Sequence, residues 1–362
     1  MAHYRSFRDF DWPLIFIALI ICAFGVFQIY SATRETVWRD VWWKQAVWIA
    51  LALVLMWLVT VVDYHTLLGQ VPVLYILSIL GLVATFAVGK VVFGSRRWIP
   101  VGSFHLQISE FVKLVIVLLV ARYLSELKSK QLEVRDLLKL GGLVGLPMAL
   151  VMKQPDLGTA LTYLPILAAG VLLAGIRWQY VAAIAGILAV VLPIGWFFLQ
   201  DYQKARLVNW ADPAQDPRGS GYQVIQSKIA VGSGNIWGKG PTRGSQTQLR
   251  FLPVPHTDFI FASFAEEHGF VGVVVVLGMY FLLLMQIVQN AQTASDRAGM
   301  YICMGVATLL LFHLLVNVGM VVGRMPVTGI PLPLMSSGGS NIFSVFMMLG
   351  LVNNVRLRRF VN

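Results

Sequence analysis

Charge is what this chain lacks most. Only 12% of its 362 residues are Asp, Glu, Lys or Arg, against 57% hydrophobic residues, whereas soluble domains carry roughly 25% charged residues. A water-soluble globule is thereby excluded. Cysteine is scarce too: Cys22 and Cys303 both fall inside apolar runs, where they pack as small hydrophobes, and no His or Cys cluster has metal-site spacing. They say nothing about redox compartment. The alternating pattern of a membrane β-barrel is missing, which leaves a helical bundle. The formal net charge is +11, but many of the basic residues stand in short loops and at the C-terminus. Anionic head groups and topology account for them without nucleic acid.

What the chain does have is long apolar runs. With roughly 20 residues needed per crossing, ten spans are expected, near 13–31, 45–62, 70–89, 107–125, 138–153, 157–175, 178–200, 262–289, 299–323 and 337–355. The first follows Arg5 and Arg8 but exceeds the h-region of a secretory signal, so it reads as a span. The fifth is the weakest, being short and carrying Gly141, Gly142, Gly145 and Pro147. The expected fold is an all-α integral membrane protein, one polytopic domain over residues 1–362. An even number of spans puts both termini on one side. The basic clusters Lys128, Lys130, Arg135, Lys139 and Arg356, Arg358, Arg359 assign that side to the cytoplasm; Arg34, Arg39, Lys44, Arg96 and Arg97 outside make the bias modest. The polar stretch 201–261 is then a large extracytoplasmic loop between spans seven and eight.

Candidate chemistry gathers on that outer face. The loop ends in Pro255-His256-Thr257-Asp258-Phe259, a carboxylate beside a histidine where hydrophilic chain re-enters the bilayer, suited to water-exposed chemistry on a lipid-borne substrate. His256 either orients Asp258, binds phosphate or is only a hydrogen-bond partner. The glycine-rich segments 232–234 and 238–240, with Lys228, Lys239, Arg243 and Arg250, allow anion binding as well as an ordinary loop. Glu110 and Lys113 share a helix face at membrane depth, as a cavity site or a structural ion pair. The same two readings hold for Lys153 and Asp156, and Glu110, Asp156 and Asp258 could converge on one outer cavity. Arg96-Arg97-Trp98 is either an interfacial anchor or a phosphate contact. Glu266 and Glu267 read as first-turn acids favoured by the helix dipole. Pro326, Pro331 and Pro333, followed by Ser336-Ser337-Gly338-Gly339-Ser340, make an irregular segment of the kind that lines cavities.

Taken in order, Gln226-Ser227-Lys228-Ile229-Ala230-Val231-Gly232-Ser233-Gly234, Gly238-Lys239-Gly240 and His256-Thr257-Asp258-Phe259-Ile260-Phe261-Ala262 resemble the SEDS (shape, elongation, division and sporulation) family, in its RodA branch. Arg97-Trp98, Ser109-Glu110, Gln154-Pro155-Asp156-Leu157-Gly158-Thr159 and Pro331-Leu332-Pro333-Leu334 support the resemblance, which runs from about residue 10 to the C-terminus. Ile108, Val254 and Ser337 depart from the family pattern. The resemblance implies a peptidoglycan glycosyltransferase of the bacterial cytoplasmic membrane. Such an enzyme polymerises lipid II during elongation and rod-shape maintenance, beside a class B penicillin-binding protein and other elongation-machinery membrane proteins. It also implies that Asp258 is catalytic. Arg97, Glu110, Lys113, Asp156, Lys228, Lys239, His256, Ser336 and Ser337 are then the candidate substrate-binding residues. In this reading Asp258 accepts the acceptor hydroxyl proton, while Lys113, Arg97 or Lys228, with or without a divalent cation such as Mg²⁺ or Mn²⁺, neutralises the pyrophosphate. A lipid II flippase and a noncatalytic scaffold that activates the penicillin-binding protein are the alternatives.

Overall fold

The computed structural model describes residues 10–92, 95–102, 104–127, 132–216 and 219–359. Arg5, Arg8, Lys128, Lys130 and Arg218 lie outside the described residues. The long apolar runs become helices because a backbone in hydrocarbon must satisfy its own hydrogen bonds. These are α1 (Trp12–Thr33), α2 (Val41–Val61), the short α3 (Tyr64–Gly69), α4 (Val71–Val88), α5 (Ile108–Ser125) and α6 (Val134–Lys153). They continue with α7 (Leu157–Leu161), α8 (Tyr163–Leu173), α9 (Trp178–Phe198), α10 (Asp201–Ala211), α11 (Ser220–Ser233), α12 (Ser245–Gln248), α13 (Ile260–Gln292), α14 (Arg297–Val321) and α15 (Gly339–Leu357). Six of them, α1, α2, α4, α9, α13 and α14, are long and apolar enough to cross a membrane. The run expected near 157–175 is divided at Thr162 into α7 and α8. The weak fifth run forms a full 20-residue helix with Pro147 inside.

Helices α14 and α15 form the centre, packed against α5, α13, α2 and α8. Around them α4 and α9 turn large apolar side chains outward, among them Ile76, Leu80, Ile187 and Val190. That is the exterior expected of a protein solvated by lipid. Cys22 and Cys303 are buried free thiols.

Polar side chains fasten the ends of the bundle. Asp11, wholly buried, caps α1 by accepting from the Leu14 N–H. It also accepts from Gln286 and Asn290 of α13 and pairs with Arg356 of α15 at 3.1 Å. At the other end, Glu266 and Glu267 do not lie in a first turn as expected. Helix α13 starts six residues before Glu266, at Ile260, and both acids are fully buried. Glu266 accepts from the backbone N–H groups of Gln246 and Thr247 and pairs with Lys239 at 2.7 Å, while Glu267 accepts from Ser31. They tie the loop before α13 to the bundle. Helix α13 breaks at Gly269, whose φ of +64° suits glycine. The Phe270 and Val271 N–H groups donate to the Asn235 and Ile236 carbonyls. A Cβ on Gly269 would stand 2.2 Å from the Gly238 nitrogen.

The α4–α5 connection is a small antiparallel meander, which was not expected: β1 (Lys90–Val92), β2 (Ser95–Val101) and β3 (Phe104–Leu106). Residue Lys90 faces Trp98, and Ile99 faces Leu106.

Candidate active site

Asp258 stands two residues before α13, in the last turn of the 201–261 segment. Its main-chain carbonyl accepts from Asn317 of α14 at 3.0 Å. The preceding residues are bound to the α14–α15 connection. Ser336 donates its hydroxyl to the Thr257 carbonyl, and the Ser337 N–H donates to the His256 carbonyl. Gly329 of the same connection, at φ +72°, brings its backbone against the acid: a Cβ there would lie 3.5 Å from Asp258 Oδ2.

Two arginines and a second acid act on its charge. Asp156 is the N-cap of α7, accepting from the Thr159 N–H at 3.2 Å and hydroxyl at 2.9 Å. Its other partners are Gln107 Nε2 at 2.9 Å and Arg97 Nη1 at 3.2 Å. Lys153, read alongside Asp156 as either a cavity site or an ion pair, is exposed at the end of α6, and Arg97 is the cation on Asp156. The cap holds the Asp156 carboxylate over the first turn of α7, where it also meets Arg97 of β2. Arg206, on α10, donates to the Thr328 carbonyl at 3.4 Å. Burial pushes the Asp258 carboxyl above the usual carboxylate range, Arg97 and Arg206 pull it back, and Asp156 pushes it up again. The four charges sum to zero. A base raised by burial but kept ionisable by two cations is suited to taking a proton near neutral pH.

His256 is buried, 5.8 Å from the Trp38 ring, and burial pushes its pKa down to about 4. It is a neutral imidazole at physiological pH and brings no positive charge for a phosphate.

Glu110 and Lys113 form a closed pair at 2.7 Å, both almost fully buried. Asn341 donates to Glu110 Oε2 and Lys113 reaches His313 Nε2 at 3.2 Å. Of the three acids expected to converge, Glu110, Asp156 and Asp258, Asp156 acts on the charge of Asp258. Glu110 is held in its own network one turn along α5 from Gln107. Lys228 is exposed and its side chain lies against Gly323. Lys239 is bound to Glu266 and Ser245. Ser336 is buried in its bonds to Leu332 and Thr257.

Arg206, Gln107, His313 and Asn317 were missed in the sequence. Arg206 was masked by a polar loop in which every basic residue looked alike. Asn317 and His313 did carry a signal, as polar residues four apart in an apolar run.

A cluster of charged side chains stands where a long polar segment meets an apolar helical bundle of membrane-protein character. Residues 11–359 match the family model described as cell cycle protein, FtsW/RodA/SpoVE, and the chain belongs to that family. It is 37% identical over 358 residues to the peptidoglycan glycosyltransferase MrdB of Escherichia coli K12, covering 96% of this chain and 94% of that protein. It is 33% identical over 431 residues to the peptidoglycan glycosyltransferase RodA of Treponema pallidum, covering 98% and 99%. Among solved structures, a chain from a peptidoglycan synthase complex that coordinates polymerisation and crosslinking is similar with a TM-score of 0.83 and 35% identity, covering 98% of this chain and 99% of that one. The rod shape determining protein RodA of Thermus thermophilus is similar with a TM-score of 0.73 and 29% identity, covering 98% of each chain.

Proposed function

We infer that this protein is a peptidoglycan glycosyltransferase that joins lipid II units at the outer face of the bacterial cytoplasmic membrane, with Asp258 as the general base. The observation that carries the site assignment is the charge environment of Asp258: a carboxylate raised by burial and faced by Arg97 and Arg206. The acceptor 4-hydroxyl attacks the donor anomeric carbon and the bond from that carbon to phosphate oxygen breaks. The hydroxyl proton passes to Asp258, and undecaprenyl pyrophosphate departs. Direct displacement inverts the anomeric centre.

A glycoside hydrolase needs a second carboxyl to protonate a poor leaving group, whereas pyrophosphate leaves as an anion and needs positive charge. Arg97 and Arg206 supply that charge. Lys113, buried against Glu110 and His313, acts at a distance by holding α5 to α14. Lys228 and Lys239 contribute to the loop that roofs the site. A divalent cation arriving with the pyrophosphate would add positive charge beside Asp156 and Asp258. The ten runs cross the membrane ten times, with both termini in the cytoplasm and residues 201–261 outside. A class B penicillin-binding protein is the partner this reading assigns, in keeping with the synthase complex to which the chain is similar.

The test is polymerisation of purified lipid II, with and without the partner, followed on glycan-chain gels for the wild type and Asp258→Asn. The variant keeps its fold and partner binding and makes no chains. Substantial residual polymerisation would remove Asp258 from the role of base. Transbilayer movement of labelled lipid II with no sugar joined by the wild type would instead favour a flippase.

A further inference from the structure

One face of α14 carries two polar side chains a turn apart that take no part in the reaction above. Asn317, completely buried, donates twice from Nδ2, to the Asp258 carbonyl at 3.0 Å and to the Ile330 carbonyl at 2.8 Å. The opposite amide orientation would set Oδ1 against two carbonyl oxygens, so the contacts fix which way it points. His313, also buried, has Nδ1 at 3.1 Å from the Pro331 carbonyl and Nε2 at 3.2 Å from Lys113 Nζ. A carbonyl only accepts and an ammonium only donates, so Nδ1 bears the proton and Nε2 the lone pair.

Both residues grip main chain that is not helical. Asp258 precedes α13, and Ile330 and Pro331 follow Gly329, the residue whose backbone lies against Asp258 Oδ2. Such segments have no helical hydrogen bonds of their own to fix them, and here side chains of a rigid helix supply those bonds. The amide of Asn317 holds the acid's own main chain and the 328–331 segment together.

We propose that Asn317 is a positioning residue for Asp258: by binding the Asp258 and Ile330 carbonyls with one amide, it sets where the Asp258 carboxylate stands relative to the acceptor hydroxyl. His313 fixes the adjoining Pro331 carbonyl in the same way and joins it to the Glu110–Lys113 pair. The inference rests on Asp258 being the base. A base displaced by about 1 Å costs up to about 100-fold in rate, while substrate binding through other contacts is little altered.

The experiment compares Asn317→Ala, Asn317→Ser and Asp258→Asn with the wild type in complex with the partner. Initial polymerisation rates are measured over a range of lipid II concentrations and normalised to folded, partner-bound protein. Asn317→Ala is expected to lower kcat about 10- to 100-fold with KM within about twofold. Asn317→Ser, which retains one hydroxyl donor, is expected to recover part of the loss and serves alone if the alanine variant does not fold. A normalised kcat at the wild-type level in either variant overturns the positioning role, as does a loss that appears only in KM. Should Asp258→Asn still polymerise, the general-base reading fails and this inference with it. A silent Asp258→Asn beside fully active Asn317 variants refutes the positioning role alone.

Discussion

The Glu110–Lys113 pair gives the sharpest test of how charge is held inside this bundle. At 2.7 Å and with side-chain exposures of 4% and 2%, neither charge has water to fall back on. Lys113→Met leaves Glu110 with Asn341 as its side-chain donor, and Glu110→Gln leaves the ammonium with neutral acceptors, His313 and the amide oxygen at position 110. Breaking one side of a buried pair costs about 3–5 kcal/mol, because an uncompensated charge remains. Removing both sides leaves no charge to compensate. The double variant loses the pair and the bond to His313, at roughly 1 kcal/mol for each hydrogen bond, while the amide oxygen at position 110 still accepts from Asn341. The single costs therefore sum to about 6–10 kcal/mol and the double costs about 2–3 kcal/mol, a coupling of at least about 3 kcal/mol. In a bilayer the unfolded helices also find partners, which favours the lower end of these ranges. The assay is thermal unfolding of the four proteins in one detergent, with unfolding rates compared at fixed temperature because large membrane proteins unfold irreversibly. Each single variant should melt well below the wild type and the double variant above either single. Additive losses would refute the argument, since they would mean that the two charges do not sense each other.

Two further predictions concern the acid cluster and the end of the bundle where Asp11 joins α1, α13 and α15. Burial raises the folded pKa of Asp258 and Arg97 lowers it, so Arg97→Gln should raise it further. A base works only when ionised, so activity falls as pH drops through that pKa. The acid limb of the polymerisation profile should thus move to higher pH in Arg97→Gln, and an unmoved limb would place the charge of Arg97 elsewhere. Asp11, wholly buried, accepts from Gln286 and Asn290 and pairs with the half-buried Arg356. Asp11→Ala removes charged hydrogen bonds, should cost at least about 1.5–3 kcal/mol, and should loosen α1 from α13 and α15. It should be visible as faster hydrogen exchange at the start of α1, and wild-type protection there would refute it.

Much of the fold was legible in the sequence because the bilayer imposes a local rule: an apolar run of sufficient length must close its own hydrogen bonds. Each of the ten apolar runs coincides with helix, including the fifth with its glycines and Pro147. The short strands β1 to β3 were not legible. Three-residue strands leave too few positions for alternation to register, and their pairing depends on a turn rather than on a pattern.

The sequence by itself determined the apolar surroundings and the helical class and singled out the acid of the His-Thr-Asp motif as a candidate, since composition, run length and local motif are properties of neighbouring residues. Tertiary structure alone decided which charges meet. It gave Asp156 to Arg97 rather than to Lys153, bound Lys239 to Glu266, and set Arg206 beside Asp258. It also joined Gln107 to Ser340 across 233 residues and placed Asn317 on the carbonyl of Asp258. The physical reason is that the energy of a charge or an amide in a low-dielectric interior depends on the few groups within about 4 Å of it. Which groups those are is settled only when distant helices pack.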